Sequence, residues 1–169
     1  MKLLFVGDSL IEYFDWEERF QKHNVYNMGV AGETVEGLYA RLQVVYSHVE
    51  EADAVFIMSG INNLAIGDKK FISAYRKVVK GLKKQYPSSR IFVQSLLPVL
   101  FPWLSNDEIR DMNRQLKQMA DDENVLYLDI HSVFLEKGGA AVKDYLLDDG
   151  VHVSEKGYLV WSGEVEKVL

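Results

Sequence analysis

The stretch Leu3-Leu4-Phe5-Val6-Gly7-Asp8-Ser9-Leu10 reads as a buried strand that breaks at glycine and delivers a serine to the mouth of a helix. Its first four residues are apolar without alternation, which suits a strand covered on both faces, as in parallel sheets. Ser9 also opens the pattern Ser9-x-x-Glu12, the signature of a capping box. On these residues alone, Ser9 is either a helix cap or a nucleophile.

Four further runs repeat the strand signal: Val25 to Met28, Ala54 to Met58, Ile91 to Gln94 and Val125 to Leu128. Between them lie stripes at three-and-four spacing. Val35, Leu38, Leu42, Val45 and Val49 form one; Phe71, Tyr75, Val78 and Leu82 a second; Ile109, Met112, Leu116 and Met119 a third, announced by Ser105-x-x-Glu108. A last stripe, Tyr158, Trp161, Val165 and Val168, follows a cap at Ser154. Strand–helix alternation of this kind predicts a five-stranded parallel sheet with helices on both faces. No repeat, low-complexity segment or linker interrupts residues 1–169, so one domain is expected.

Composition narrows the function classes. An apolar fraction of 48% and a charged fraction of 26% are those of a soluble globular chain. The net charge of −6 comes with no basic run, which argues against nucleic acid or an anionic membrane as the main partner. The chain contains no cysteine, so disulfides, thiolate catalysis and zinc–thiolate sites are excluded. The apolar run after Met1-Lys2 ends at Gly7, too short for a signal-peptide core, and no run approaches the length of a membrane span. A cytoplasmic protein is the expectation.

In an open parallel sheet, ligands bind beyond the carboxyl ends of the strands, so the residues that follow each strand matter most. The first strand is followed by Gly7-Asp8-Ser9, and the second leads into Gly29-Val30-Ala31-Gly32. The third is followed by Ser59-Gly60-Ile61-Asn62-Asn63, the fourth by Ser95-Leu96-Leu97-Pro98. The fifth ends at Asp129, and a longer loop then brings Asp148-Asp149-Gly150-Val151-His152. Acyl transfer by a serine needs a base, a group that orients the base, and donors for an oxyanion. Ser9 is the candidate nucleophile, with a helix N-terminus adding a favourable dipole. His152 is the candidate base. Asp149, three residues earlier, is placed to fold back onto the imidazole. The N–H groups of Ser9 and Gly32 and the amide of Asn62 are the candidate oxyanion donors. A glycine at 32 would keep the substrate's approach open.

These blocks resemble the GDSL or SGNH hydrolase superfamily. The matching residues are Gly7-Asp8-Ser9-Leu10, Asn27-Met28-Gly29-Val30-Ala31-Gly32, Gly60-Ile61-Asn62 and Asp149-Gly150-Val151-His152, in family order and spanning almost the whole chain. Gln94-Ser95-Leu96-Leu97-Pro98 and the helix around Asn113 are also similar to small members. The resemblance implies a three-layer α/β/α, flavodoxin-like fold and hydrolysis of a small-molecule ester or thioester with no cofactor and no metal. Asp8 and Asn63 then stand as supporting residues. The family commonly has Asp where this chain has Asn63, so weaker support of the Asn62 loop is expected. The physiological ester and any homo-oligomeric partner are left open.

Rival readings attach to particular residues. Asn62 and Asn63 after a strand also suit Asx turns. His23 and His48 lie in polar surroundings, whereas His131, close to Asp129, competes with His152. Asp148 competes with Asp149. Asp129, His131, Asp148 and His152 together could form an oxygen–nitrogen metal cluster, which would make the protein a metal-dependent hydrolase. A non-catalytic flavodoxin-like binding or signalling domain is the other alternative, although the first loop is no flavin-phosphate loop and no acceptor aspartate follows the third strand. Leu100, Phe101, Pro102, Trp103 and Leu104, with Tyr13, Phe14 and Trp16, are candidates for the rim of a site, a dimer contact or core.

Overall fold

The computed structural model describes residues 1–169. Strands form where the continuous apolar runs fall: β1 (Lys2–Gly7), β2 (Asn24–Gly29), β3 (Ala54–Met58), β4 (Arg90–Gln94) and β5 (Leu126–Leu128). All pairings are parallel and the order is β2-β1-β3-β4-β5. The central strands β1 and β3 are almost wholly buried, which is why their sequences do not alternate. At the two edges, β2 is only half-buried and β5 exposes Leu126.

Eight α-helices connect and flank the strands: α1 (Ser9–Glu12), α2 (Trp16–Arg19), α3 (Val35–Ala40), α4 (Leu42–His48), α5 (Ile61–Ala65), α6 (Ile72–Gln85), α7 (Asn106–Asp122) and α8 (Glu155–Glu166). One face of the sheet carries the register row Phe5–Phe56–Phe92, with ring centroids 5.0 and 4.8 Å apart. Trp16 of α2 stacks on Phe5 at 4.2 Å and meets Trp161 of α8 edge-on at 5.3 Å, so α2 and α8 cover this face. Helices α3, α6 and α7 pack in a row over the other.

Local signals were read with mixed success. Both bonds of the Ser105–Glu108 capping box form, and Ser154 Oγ accepts from Gly157 N–H at 3.2 Å. The first stripe, expected as one helix, is broken between α3 and α4 at Arg41, whose guanidinium turns toward the strand ends. The expected capping box Ser9–Glu12 does not form: Asp8 caps α1 and Ser9 is its first helical residue. Polar residues after β4 build the scaffold of the neighbouring loops. Gln94 Oε1 accepts from the Trp161 indole at 2.6 Å, and Ser95 Oγ accepts from the N–H groups of Ile130 and His131 at 2.9 and 2.7 Å. Asn113 grips both the N–H and the carbonyl of Leu96, at 2.8 and 2.9 Å. No helix is long and apolar enough to cross a membrane.

Candidate active site

Strand β1 ends at Gly7, paired with Met58 of β3, and a Cβ on Gly7 would run into the Met58 carbonyl. The close approach admits only glycine, and the chain turns straight into α1. Asp8 Oδ1 accepts from Leu10 N–H at 3.0 Å, which fixes the turn and presents Ser9 with 6% of its surface exposed. As the first helical residue, Ser9 has an N–H with no intrahelical acceptor. Helix α1 is a single turn, so its dipole is small, and that free N–H is the more direct source of positive potential.

His152 arrives from the loop before α8. Its Nε2 lies 3.0 Å from Ser9 Oγ, and its Nδ1 lies 2.6 Å from Asp149 Oδ2. The other Asp149 oxygen accepts from the N–H groups of Val151 and His152, both at 2.9 Å, so the aspartate is folded back over its own turn as the three-residue offset required. Burial pushes the Asp149 carboxyl up, but the His152 ring and the two amides outweigh it and hold it below its ordinary value. An ionised Asp149 can only accept, so Nδ1 carries the ring proton and Nε2 is left to accept from the Ser9 hydroxyl. The loop is pinned from outside by Leu100 N–H, which donates to the Gly150 carbonyl at 2.8 Å. Tyr13 is exposed and packs its ring 5.3 Å from the imidazole.

Asp8 behaves oppositely. It is completely buried, and Oδ2 has no protein partner. Burial, helped by the Glu33 charge and opposed by the Leu10 amide and by His152, pushes it from its ordinary 3.8 to about 7.

The loop after β2 brings Gly32 to the same sheet edge. Gly32 has φ +75°, in the left-handed region, and a Cβ there would meet no atom within 4 Å. Glycine is therefore explained by backbone conformation, with open space in front of it rather than crowding. Its N–H donates to no protein acceptor. The neighbours on either side are tied down. Ala31 N–H donates to Glu12 Oε2 at 2.6 Å, which is where the glutamate of the failed capping box goes, and the Glu33 carbonyl accepts from Asn62 Nδ2 at 2.9 Å. That bond uses one of the two N–H groups of the Asn62 amide.

Asn63 departs from expectation in an informative way. It is 1% exposed and fully bonded: Oδ1 accepts from Val35 N–H at 2.9 Å, and Nδ2 donates to Glu36 Oε2 at 2.8 Å and to Asp68 Oδ2 at 2.9 Å. The residue after Asn62 is thus anchored by three hydrogen bonds. With two carboxylates converging on its nitrogen, position 63 calls for a donor, and an aspartate would face them as a third negative charge.

The rival residues are placed elsewhere. Asp129 binds Ser132 through its N–H at 3.1 Å and its hydroxyl at 2.5 Å, and Asp148 is exposed. His131 is buried with its backbone on Ser95, and burial lowers its pKa. Asp129, His131, Asp148 and His152 are not gathered into one cluster. His23, expected in water, is half-buried against Phe20. Of the rim candidates, Trp16 and Leu104 are core and Phe14 stacks on Tyr158 at 4.5 Å. Leu100 and Trp103 are exposed, Trp103 lying on Phe101 with centroids 4.8 Å apart. Arg41, Glu33 and the role of Glu12 escaped the sequence reading, because their partners lie in other loops.

The model of the GDSL-like Lipase/Acylhydrolase family matches residues 5–160. The chain is 27% identical over 172 residues to an N-acylneuraminate cytidylyltransferase of Escherichia coli O18:K1:H7, covering 99% of this chain but 40% of that protein. It is 24% identical over 166 residues to platelet-activating factor acetylhydrolase IB subunit alpha1 of Rattus norvegicus, covering 93% of this chain and 70% of the relative. An acetyl xylan esterase, AlAXEase, superposes with a TM-score of 0.83 over the full length of both chains at 18% identity, a likeness of fold alone.

Two predictions concern the buried polar residues. Asn63→Asp is expected to destabilise the fold at pH 7.5 by about 1.5–3 kcal/mol for each charged hydrogen bond lost, which urea unfolding of the variant beside the wild type measures. Asp8, with a raised folded-state pKa, keeps its proton where the unfolded chain has lost it. Relative to Asp8→Asn, the wild type should therefore lose stability as pH rises from about 4 to about 7 and change no further above that. The full difference is at most about 4 kcal/mol, and a pH-independent difference would contradict the burial argument.

Proposed function

The chain belongs to the GDSL-like lipase/acylhydrolase family, and from that premise we propose that it hydrolyses a carboxylic ester of a small acyl group through an acyl-enzyme on Ser9. The observation that carries the reading is the chain of contacts Ser9 Oγ–His152 Nε2 at 3.0 Å and His152 Nδ1–Asp149 Oδ2 at 2.6 Å. In this reading His152 takes the Ser9 proton as Oγ attacks the ester carbonyl. Asp149 holds the imidazole in the tautomer with Nε2 free and stabilises it once charged. The tetrahedral oxyanion is received by the N–H groups of Ser9 and Gly32 and by the second N–H of Asn62. His152 then protonates the leaving alcohol as the acyl-enzyme forms; in the second half it draws a proton from water as the water oxygen attacks the acyl carbonyl, and returns that proton to Ser9 Oγ as the acid leaves.

No group beyond these side chains is called for, so the reading includes neither a cofactor nor a metal. The names of the rat relative and of the structural neighbour both refer to acetyl esters, which makes acetyl the first acyl group to try. The cytidylyl transfer in the name of the bacterial relative is not carried over, since the match covers less than half of that protein. Residues 1–169 are read as one catalytic domain of a cytoplasmic protein.

Ser9→Ala is expected to abolish both p-nitrophenyl acetate turnover and labelling by a fluorophosphonate. Labelling that survived the substitution would identify a different nucleophile. Asn62→Ala should lower kcat by about 10²–10³, the cost of one oxyanion donor. Steady-state kinetics on the same ester would remove Asn62 from that role if turnover matched the wild type.

A further inference from the structure

Beneath the candidate oxyanion loop lies an ion pair that the chemistry above does not use. We propose that Arg41 and Glu33 form a positioning pair that sets where the Gly32 and Asn62 donors stand relative to Ser9; the proposal rests on the hydrolase reading of Ser9. The Arg41 fork meets the Glu33 carboxylate twice, Nε to Oε1 at 2.6 Å and Nη2 to Oε2 at 2.8 Å. The same Nη2 donates to the Met28 carbonyl at 2.8 Å and, more loosely, to the Gly7 carbonyl at 3.4 Å. Both side chains are largely buried, with 17% and 8% of their surfaces exposed.

One guanidinium therefore touches three chain segments that converge on the site. Gly7 ends β1 two residues before Ser9, Met28 stands at the end of β2, and Glu33 follows Gly32 directly. The Glu33 backbone carries the coupling further, because its carbonyl is the acceptor of the Asn62 amide. On the other flank, Glu12 of α1 holds Ala31. Gly32 thus hangs between two anchored neighbours, one tied to the helix that begins with Ser9 and one to the ends of β1 and β2.

Stability alone is a poor account of this arrangement. A largely buried ion pair returns little over a well-packed apolar pair of the same volume, and its best-attested use is to fix register. The helix is also interrupted at Arg41, which closes α3 at φ −98° and ψ 10° before α4 begins. What the interruption gains is a planar, bidentate fork aimed at two strand ends and at the loop between β2 and α3, a geometry that lysine cannot reproduce.

The test uses the full chain and two variants. Arg41→Lys keeps the charge and loses the fork. The double variant Glu33→Gln with Arg41→Met removes both charges, so that no buried charge is orphaned if the single variant fails to fold. Each is assayed for kcat and KM on p-nitrophenyl acetate, for affinity toward methaneboronic acid, which forms a tetrahedral adduct on an active serine, and for thermal midpoint. Misplaced donors are expected to lower kcat by about 10- to 100-fold, with KM unchanged and boronate affinity falling by the same factor. Wild-type kcat and boronate affinity in a folded variant, with only the midpoint lowered, would overturn the proposal. So would a fall in kcat that leaves boronate affinity intact, because the donors would still be holding the tetrahedral oxygen. Failure of the underlying reading looks different: the wild-type protein itself would not be labelled at Ser9 by a fluorophosphonate.

Discussion

The parallel register of β1 between β2 and β3 ends Gly7, Gly29 and Met58 side by side, and the site is built outward from that edge. Because the strands run the same way, three chain reversals fall together, which is the geometric reason that open parallel sheets bind ligands there. The tightness of the edge matters as much as its direction. With no Cβ at Gly7, β1 lies against the Met58 carbonyl, and the turn into α1 can lift Ser9 out of the sheet within two residues. The aromatic row Phe5–Phe56–Phe92 beneath it packs β1 against β3 and extends to β4, so the β1–β3 side of the edge is held both by backbone and by core.

On this edge, two aspartates flank the proposed nucleophile and are driven apart by their surroundings. Asp149 receives two amides and the imidazole and stays below its ordinary value. Asp8 receives one amide, is wholly buried and rises to about 7. The contrast assigns their work. Asp149 is the ionised one and the one that meets Nδ1, whereas Asp8 at about 7 is divided between its two forms at neutral pH. In either form Asp8 Oδ1 can cap α1, so the shape of the turn that presents Ser9 does not depend on its charge.

Much of this was legible in the sequence because it is local. The five apolar runs, the Gly7 break, the Asp149–His152 offset and the Ser105 and Ser154 caps each depend on residues within a few positions of one another. Where the reading failed, a distant partner outcompeted a near one. Glu12 has the spacing of a capping box, yet in a one-turn helix capped by Asp8 its carboxylate is free to take the amide of Ala31. Asn63 looked like a lost charge because Val35 and Glu36, two of its three partners, lie 28 and 27 positions away. Arg41 belonged to an apolar stripe by its neighbours, and nothing in that stripe announces Met28 or Glu33. Sequence periodicity reports which face a residue occupies, not which backbone carbonyl its side chain will find.

The shape around Ser9 bears on what kind of ester suits the proposed chemistry. Ser9 is nearly buried, whereas Ala31 and Gly32 are exposed and Tyr13 stands open beside His152. A cavity of about 640 Å³ does touch the loop that carries His152, but it lies behind Asp149 against Leu100, Leu146 and Leu147, and neither Ser9 nor His152 lines it. In the proposed reaction the acyl group on Ser9 would lie outside that cavity. The leaving alcohol of that proposed reaction would depart on the His152 side, where Tyr13 is exposed. Selection of the alcohol would then rest on exposed side chains such as Tyr13, where each contact is worth less than in a pocket because water competes for it.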